Sequence, residues 1–270
     1  MKIAVFYENI YDGVQATGQD MEAVLAKLRD AGMEMLYISA DNWKRDGREL
    51  KRWMTDLDLK MEGMHAFCDF PNNPDTDQYR ELIDLAKDSG ANNFLIVPGF
   101  LSNGNSIKDL ESMVRGVGRT VEYGKTVGMP VLMEDFDGIF APYNCMAGLK
   151  YFLDAVPDLG CAFDTGNFVM FHEDELAAFD LFADRIETLH LKDRRLDRRH
   201  EKDAPLFCAD HSPIFACAPG SGIIRIGEIL NRLKARGYGG NVIVEMYCCD
   251  PDAVLEDTVW SLRWLKRQGI

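Results

Sequence analysis

The chain has 270 residues, 47% of them hydrophobic, and 30 Lys and Arg stand against 44 Asp and Glu for a net charge of −14. That is enough apolar sequence to bury a full core, as one large α/β domain or two smaller ones. The negative balance repels a phosphate backbone and anionic lipid, so nucleic acid and membrane are excluded as expected partners. The seven cysteines (Cys68, Cys145, Cys161, Cys208, Cys217, Cys248 and Cys249) contain no CxxC pair. They form neither a disulfide framework nor a zinc cluster, which points to reduced thiols in a cytoplasmic protein. The first apolar run stops at Glu8, too short for a signal segment, and no later run approaches the ~18 residues that span a membrane.

Eight apolar runs of strand length follow in chain order: "KIAVFY", "MEMLYIS", "MEGMHAF", "NFLIVPG", "PVLME", "GCAFD", "ETLHL" and "NVIVE". Helical spacing fills the intervals. Tyr79, Leu82, Ile83 and Ala86 precede Gly90, and Ile226, Ile229, Leu230 and Leu233 precede Gly237. A helix between two strands returns the chain to the end of the sheet it left, so the alternation predicts parallel strands. Eight such units predict a (β/α)₈ TIM barrel occupying residues 1–270 as one domain. The competing doubly wound sheet lacks its glycine fingerprint, since "YENIYDGVQATG" has no GxGxxG spacing. One interval is oversized: 55 residues separate His190 from Glu245, about twice a barrel unit. The surplus, residues 194–222, leaves the C-terminal end of the seventh strand and reads as a lid or substrate loop, with a passive surface insertion as the alternative.

The last four strands each end on one hard ligand: Glu134 in "PVLMED", Asp164 in "GCAFDTGN", His190 in "ETLHLKD" and Glu245 in "NVIVEMY". A lone histidine between two leucines is more often a satisfied core group, but His190 has company. Side chains alternate along a strand, so Leu132 and Glu134, Ala162 and Asp164, Thr188 and His190, and Ile243 and Glu245 share faces and converge at a barrel mouth. Three carboxylates gathered there repel one another unless a cation sits among them. Three oxygen ligands and one imidazole suit Mn²⁺ or Mg²⁺ best, with Co²⁺ or Zn²⁺ as further fits, and leave positions open for two substrate oxygens. The alternative is a purely structural polar cluster.

The stretches "MED" (133–135), "FDTGN" (163–167), "HLKD" (190–193) and "PGSGIIRIGEILNRLKARGYGGNVIVE" (219–245) also resemble the xylose-isomerase-like barrels. These include sugar and sugar-phosphate isomerases, ketose 3-epimerases, inosose dehydratases and endonuclease IV. The resemblance covers nearly the whole chain. It implies that Glu134, Asp164, His190 and Glu245 are the shared metal ligands and that Glu134 and Glu245 exchange the substrate proton. The epimerases usually carry a histidine three residues after the aspartate, in contact with substrate, where this chain has Asn167. Endonuclease IV needs more histidines than the five present, and Val97 and Pro98 end the fourth strand without one.

The expected activity is a metal-dependent sugar or sugar-phosphate isomerase or epimerase, working by proton transfer through an enediolate with Glu134 and Glu245 as acid and base. A dehydratase of the inosose type and a non-catalytic sugar-binding barrel are the rivals. Lys192 shares a face with His190 and either contacts substrate or pairs with Asp193 or Asp164. His65 either reaches the mouth or is a core group. "RRLDRRH" (194–200), beginning with Arg194, holds four arginines; it either captures an anionic substrate group or is a solvated loop paired with Asp197 and Glu201. Two of Trp43, Phe70, Phe100, Phe136 and Phe168 are expected to wall a sugar face. "PGSG" reads as a turn into the helix from Ile226. Homo-oligomerisation stays open.

Overall fold

The computed structural model describes residues 1–102 and 107–270. In chain order the elements are β1 (Ile3–Phe6), α1 (Tyr7–Thr17), α2 (Met21–Ala31), β2 (Met35–Ser39), α3 (Ala40–Asp56), β3 (Lys60–Phe67), α4 (Gln78–Ser89), β4 (Asn93–Val97), α5 (Ile107–Val127) and β5 (Val131–Glu134). They continue with α6 (Met146–Ala155), β6 (Gly160–Asp164), α7 (Glu175–Phe182), β7 (Ile186–Leu191), β8 (Asp193–Arg195), β9 (Leu206–Phe207), β10 (Pro213–Cys217), α8 (Ile226–Ala235), β11 (Val242–Val244) and α9 (Val254–Arg267).

Strands β1 to β7 and β11 close into an eight-stranded barrel, each pair parallel, with β11 between β7 and β1. All eight apolar runs are barrel strands. Their near-continuous hydrophobicity has a physical reason: a parallel barrel strand is covered by helices outside and by packed side chains inside, so both faces are dry. Ile3, Ala4, Phe94, Leu95, Ala162, Leu189, Val242 and Ile243 have no solvent exposure.

The interval between β1 and β2 holds two helices. Gly18 ends α1 in the left-handed region at φ 66°, donating its N–H to Val14, and Asp20 then caps α2 by accepting from Ala23 N. The helix pattern around Gly90 is realised in α4, which that glycine closes at φ 85°. α5 packs so close against the chain that follows β3 that a Cβ on Gly116 would stand 2.3 Å from the ring of Phe70.

Residues 194–222, expected as a loop, contain most of a three-stranded antiparallel sheet in the order β8-β10-β9. Its strands are two to five residues long, too short for alternation to show in the sequence. A small apolar cluster of Met170, Cys208 and Ile214, joined by Leu206, anchors it to the 3₁₀ turn Phe168–Phe171 after β6. The return through "PGSG" is a turn, as expected, and Asp193 holds it. This buried carboxylate accepts from the main-chain N–H of Arg194, Gly220, Gly222 and Ile224 at 2.8–3.1 Å. Among the described residues, no helix is long and apolar enough to cross a membrane.

Asp193→Ala removes the acceptor from those four donors, of which Arg194 N and Ile224 N are buried. We expect a loss of about 3 kcal/mol, measured as a lower urea midpoint with an unchanged slope.

Candidate metal centre

The ends of β5, β6, β7 and β11 bring four side chains to one point. Glu134 and Asp164 are the last residues of β5 and β6, His190 is next to last in β7, and Glu245 directly follows β11. Register makes them meet: Asp164 and Ile243 both stand opposite His190, and Glu245 N donates to Leu191 O at 3.1 Å. One ligand atom from each of the four lies within 4.8 Å of the others. His190 Nδ1 is 2.9 Å from Glu134 Oε2 and 3.3 Å from Glu245 Oε2. Asp164 and His190 are fully buried, and the Glu134 and Glu245 side chains retain 13% exposure toward the mouth.

The donor set fits a divalent cation. Glu134 Oε2, Asp164 Oδ2, Glu245 Oε2 and both nitrogens of His190 are buried and make no well-formed hydrogen bond. Buried polar atoms are rarely left so, and five in one cluster call for a ligand with several open positions.

Charge around the cluster is only partly balanced from within. Lys192 Nζ contacts Glu245 Oε1 at 2.8 Å, Asp164 Oδ2 at 3.0 Å and Asn167 Oδ1 at 3.3 Å. Burial pushes the Asp164 carboxyl up to about 6, helped by Glu245 and Glu134 and opposed by Lys192. Burial works the same way on Glu245, but Lys192 and His190 prevail and hold it well below the carboxylate range. Burial opposes charge on His190, yet contact with Glu134 and Glu245 raises its imidazole to about 10. Behind the cluster, burial, then Asp164 and Glu134, push Asp135 well above the usual range.

A cavity of about 380 Å³ opens over the cluster and is lined by Glu134, His190, Lys192 and Glu245. His65 lines it too, stacked on Tyr37 with ring centroids 5.7 Å apart. Asn167 lies behind, donating to Asp135 O at 2.8 Å while its Oδ1 receives Lys192 and Arg194. Arg194 is not in a solvated loop. It is fully buried, donating to Gly166 O at 3.1 Å and Asn167 Oδ1 at 3.2 Å. The four arginines do not converge: Arg195 pairs with Asp197, Arg198 lies over Phe215 and Arg199 pairs with Asp257. Of the five aromatics, Phe136 lines the cavity and Phe100 packs on it at 5.5 Å. Phe70, Phe168 and Trp43 are buried in the core clusters.

Sequence reasoning missed Phe6, Tyr37, Asp137, Leu206 and Tyr247, which also line the cavity. Phe6 ends β1, so the end-of-strand rule that found the ligands applied to it as well, whereas Tyr37, opposite it in the register, lies in the middle of β2 and is outside that rule. Asp137 follows β5 in irregular chain and comes within 3.5 Å of Arg194 and 3.9 Å of Lys192. No spacing rule reaches it.

The sequence model of the family described as "Xylose isomerase-like TIM barrel" matches residues 17–268. The chain belongs to the xylose isomerase-like TIM barrels. Among its relatives, an inosose dehydratase of Lacticaseibacillus casei is 28% identical over 137 residues, 50% of this chain and 46% of that protein. The chain therefore matches about half the length of that relative. D-psicose 3-epimerase from Clostridium cellulolyticum H10, solved with D-tagatose, superposes with a TM-score of 0.71 at 15% identity over 99% of both chains. The IOLI protein, solved with a zinc atom, gives 0.74 at 16% identity over 100% of this chain and 96% of its own. At these identities the two structures establish the shared barrel.

Loading this xylose isomerase-like barrel with Mn²⁺ has to displace the proton that His190 holds below about 10. We expect calorimetry in buffers of different ionisation enthalpy to show proton release, and affinity to weaken as pH falls from 8 to 6. Asp164→Asn should weaken Mn²⁺ binding at least tenfold with an unchanged circular dichroism spectrum.

Proposed function

We propose that this barrel is a divalent-metal-dependent isomerase or epimerase of small sugars or polyols, moving a proton at the carbon beside a carbonyl. The observation that supports it most is the pair Glu134 and Glu245. Both carboxylates face the cavity, both touch His190, and Glu245 is held ionised by Lys192 and His190 although buried. A bound divalent cation supplies the electrophile for a carbonyl oxygen and its neighbouring hydroxyl.

The chain's own groups account for the rest. Phe6, Leu95, Val97 and Phe136 give the cavity apolar walls that exclude water. Either glutamate removes the proton, and its return by the same or the other glutamate sets the product: return on the opposite face of the same carbon epimerises, and return to the adjacent carbon isomerises. Burial, then Glu134 and Glu245, keep the Tyr37 phenol protonated. Its hydroxyl has no partner in the protein and is placed to donate to a substrate oxygen. Leu206 reaches the cavity from the three-stranded excursion, which supports residues 194–222 as a lid.

A dehydratase is the second reading, favoured by the inosose dehydratase relative. Lys192, beside Glu245 on the cavity wall, would then protonate a departing hydroxyl.

With Mn²⁺ supplied, ketoses recovered from deuterated water should carry label at the carbon beside the carbonyl, and a chelator should abolish the exchange. Glu134→Gln should slow it by about 10²–10⁴. Loss of water without label in recovered substrate would favour the dehydratase, and neither outcome with any metal would leave a sugar-binding barrel.

A further inference from the structure

A second cavity, about 840 Å³, adjoins the first between α1 and the chain after β11. Phe6, His65, Glu245 and Tyr247 line both, so Glu245 stands where a ligand would pass from one into the other. The first cavity alone lies near the lower end of the roughly 300–1,000 Å³ usual for small-molecule sites. A monosaccharide held at the four strand ends leaves the second one empty.

The second cavity is built rather than incidental. Asn9 clamps Met246 by two hydrogen bonds, Nδ2 to Met246 O at 2.8 Å and Met246 N to Oδ1 at 3.0 Å, which fixes one wall. Glu8 Oε1 accepts from Ser39 N at 2.8 Å and Asn42 Nδ2 at 2.7 Å. That orients its carboxylate while Oε2, buried, has no hydrogen-bond partner. His65 Nδ1 is likewise buried and unpartnered. Gln15 and Asp12 add an amide and a second carboxylate along α1, and Met246, Pro251 and Val254 supply apolar surface. Oriented acceptors on a partly apolar wall match a group rich in hydroxyl donors and C–H faces.

The same lining rejects anions. Among the described residues lining this cavity there is no Lys or Arg, and an incoming phosphate would meet Glu8, Asp12 and Glu245. The nearby cations are engaged: Arg45 pairs with Asp46 and lies over Tyr11, and Lys192 is held by Asp164 and Glu245.

We propose that the reacting pocket continues into this subsite and that the substrate is larger than a monosaccharide, carrying there an uncharged, hydroxyl-rich group such as a glycosyl unit and not a phosphate. The proposal rests on the isomerase reading above for the reacting end only.

The test uses the full chain with Mn²⁺ and three probes: fructose, fructose 6-phosphate and the neutral keto-disaccharide isomaltulose. Deuterium exchange and calorimetric binding are both followed, in wild type and in Ala16→Trp. Ala16 is an exposed residue of α1 that lines only the second cavity, and Gln15→Trp serves as a second blocking variant should the first lose its thermal transition. We expect isomaltulose to bind and exchange at least tenfold better than either other probe, and the blocking variant to remove that advantage while fructose is unaffected. Isomaltulose binding that is sensitive to the block but gives no exchange would uphold the subsite and sink the isomerase reading. Equal handling of fructose and isomaltulose, a preference for the phosphate, indifference to both blocking variants, or no binding of isomaltulose would overturn the subsite.

Discussion

Repulsion between buried carboxylates is the constraint around which the mouth of this barrel is organised. Glu134, Asp164 and Glu245 bring ligand atoms within 4.8 Å of one another and of His190, with Asp135 immediately behind and Asp137 at the rim. At that spacing and burial, like charges cost several kcal/mol unless something positive stands among them. Lys192 and Arg194 answer part of the demand, but each is shared among several acceptors. A divalent cation answers the remainder: the ligand atoms of the cluster are held within ion-pair distance of one another and of Lys192 but make no well-formed hydrogen bond.

The barrel supplies the geometry through register and a hydrogen-bonded backing. Parallel pairing places Asp164 opposite His190, and Glu245 is tied to Leu191 by its own N–H. Asn167 fixes Lys192 and Arg194 while holding Asp135 O. Asp193 closes the far side by pinning the "PGSG" turn, so the excursion after β7 returns to the barrel at a set place. Such backing keeps charged side chains from rearranging to relieve their repulsion, which is what preorganisation for a metal and an oxygen-rich ligand requires.

Much of this was legible in the sequence because the barrel imposes two simple periods. Strands dry on both faces read as apolar runs, and alternation carried His190, Glu134, Asp164 and Glu245 to one face and one end. The resemblance to xylose-isomerase-like barrels singled out the same four residues by a separate route. What escaped depends on contacts distant in sequence. Arg194 sits among charged neighbours in the chain, and it is the Gly166 carbonyl and Asn167, brought up by β6, together with Asp137 after β5, that explain its complete burial. Asp137 lies in irregular chain that no period describes, and β8 to β10 are too short to leave a pattern. The wall that Glu8 and Asn9 make with Met246 joins opposite ends of the sequence, so no local reading would have found it.

The most direct measurement is anomalous diffraction from crystals of the protein soaked in Mn²⁺. The account predicts one strong peak at the barrel mouth, about 2.0–2.6 Å from oxygens of Glu134, Asp164 and Glu245 and a nitrogen of His190. A map with no peak there, at saturating Mn²⁺ and with those four side chains well ordered, would contradict it.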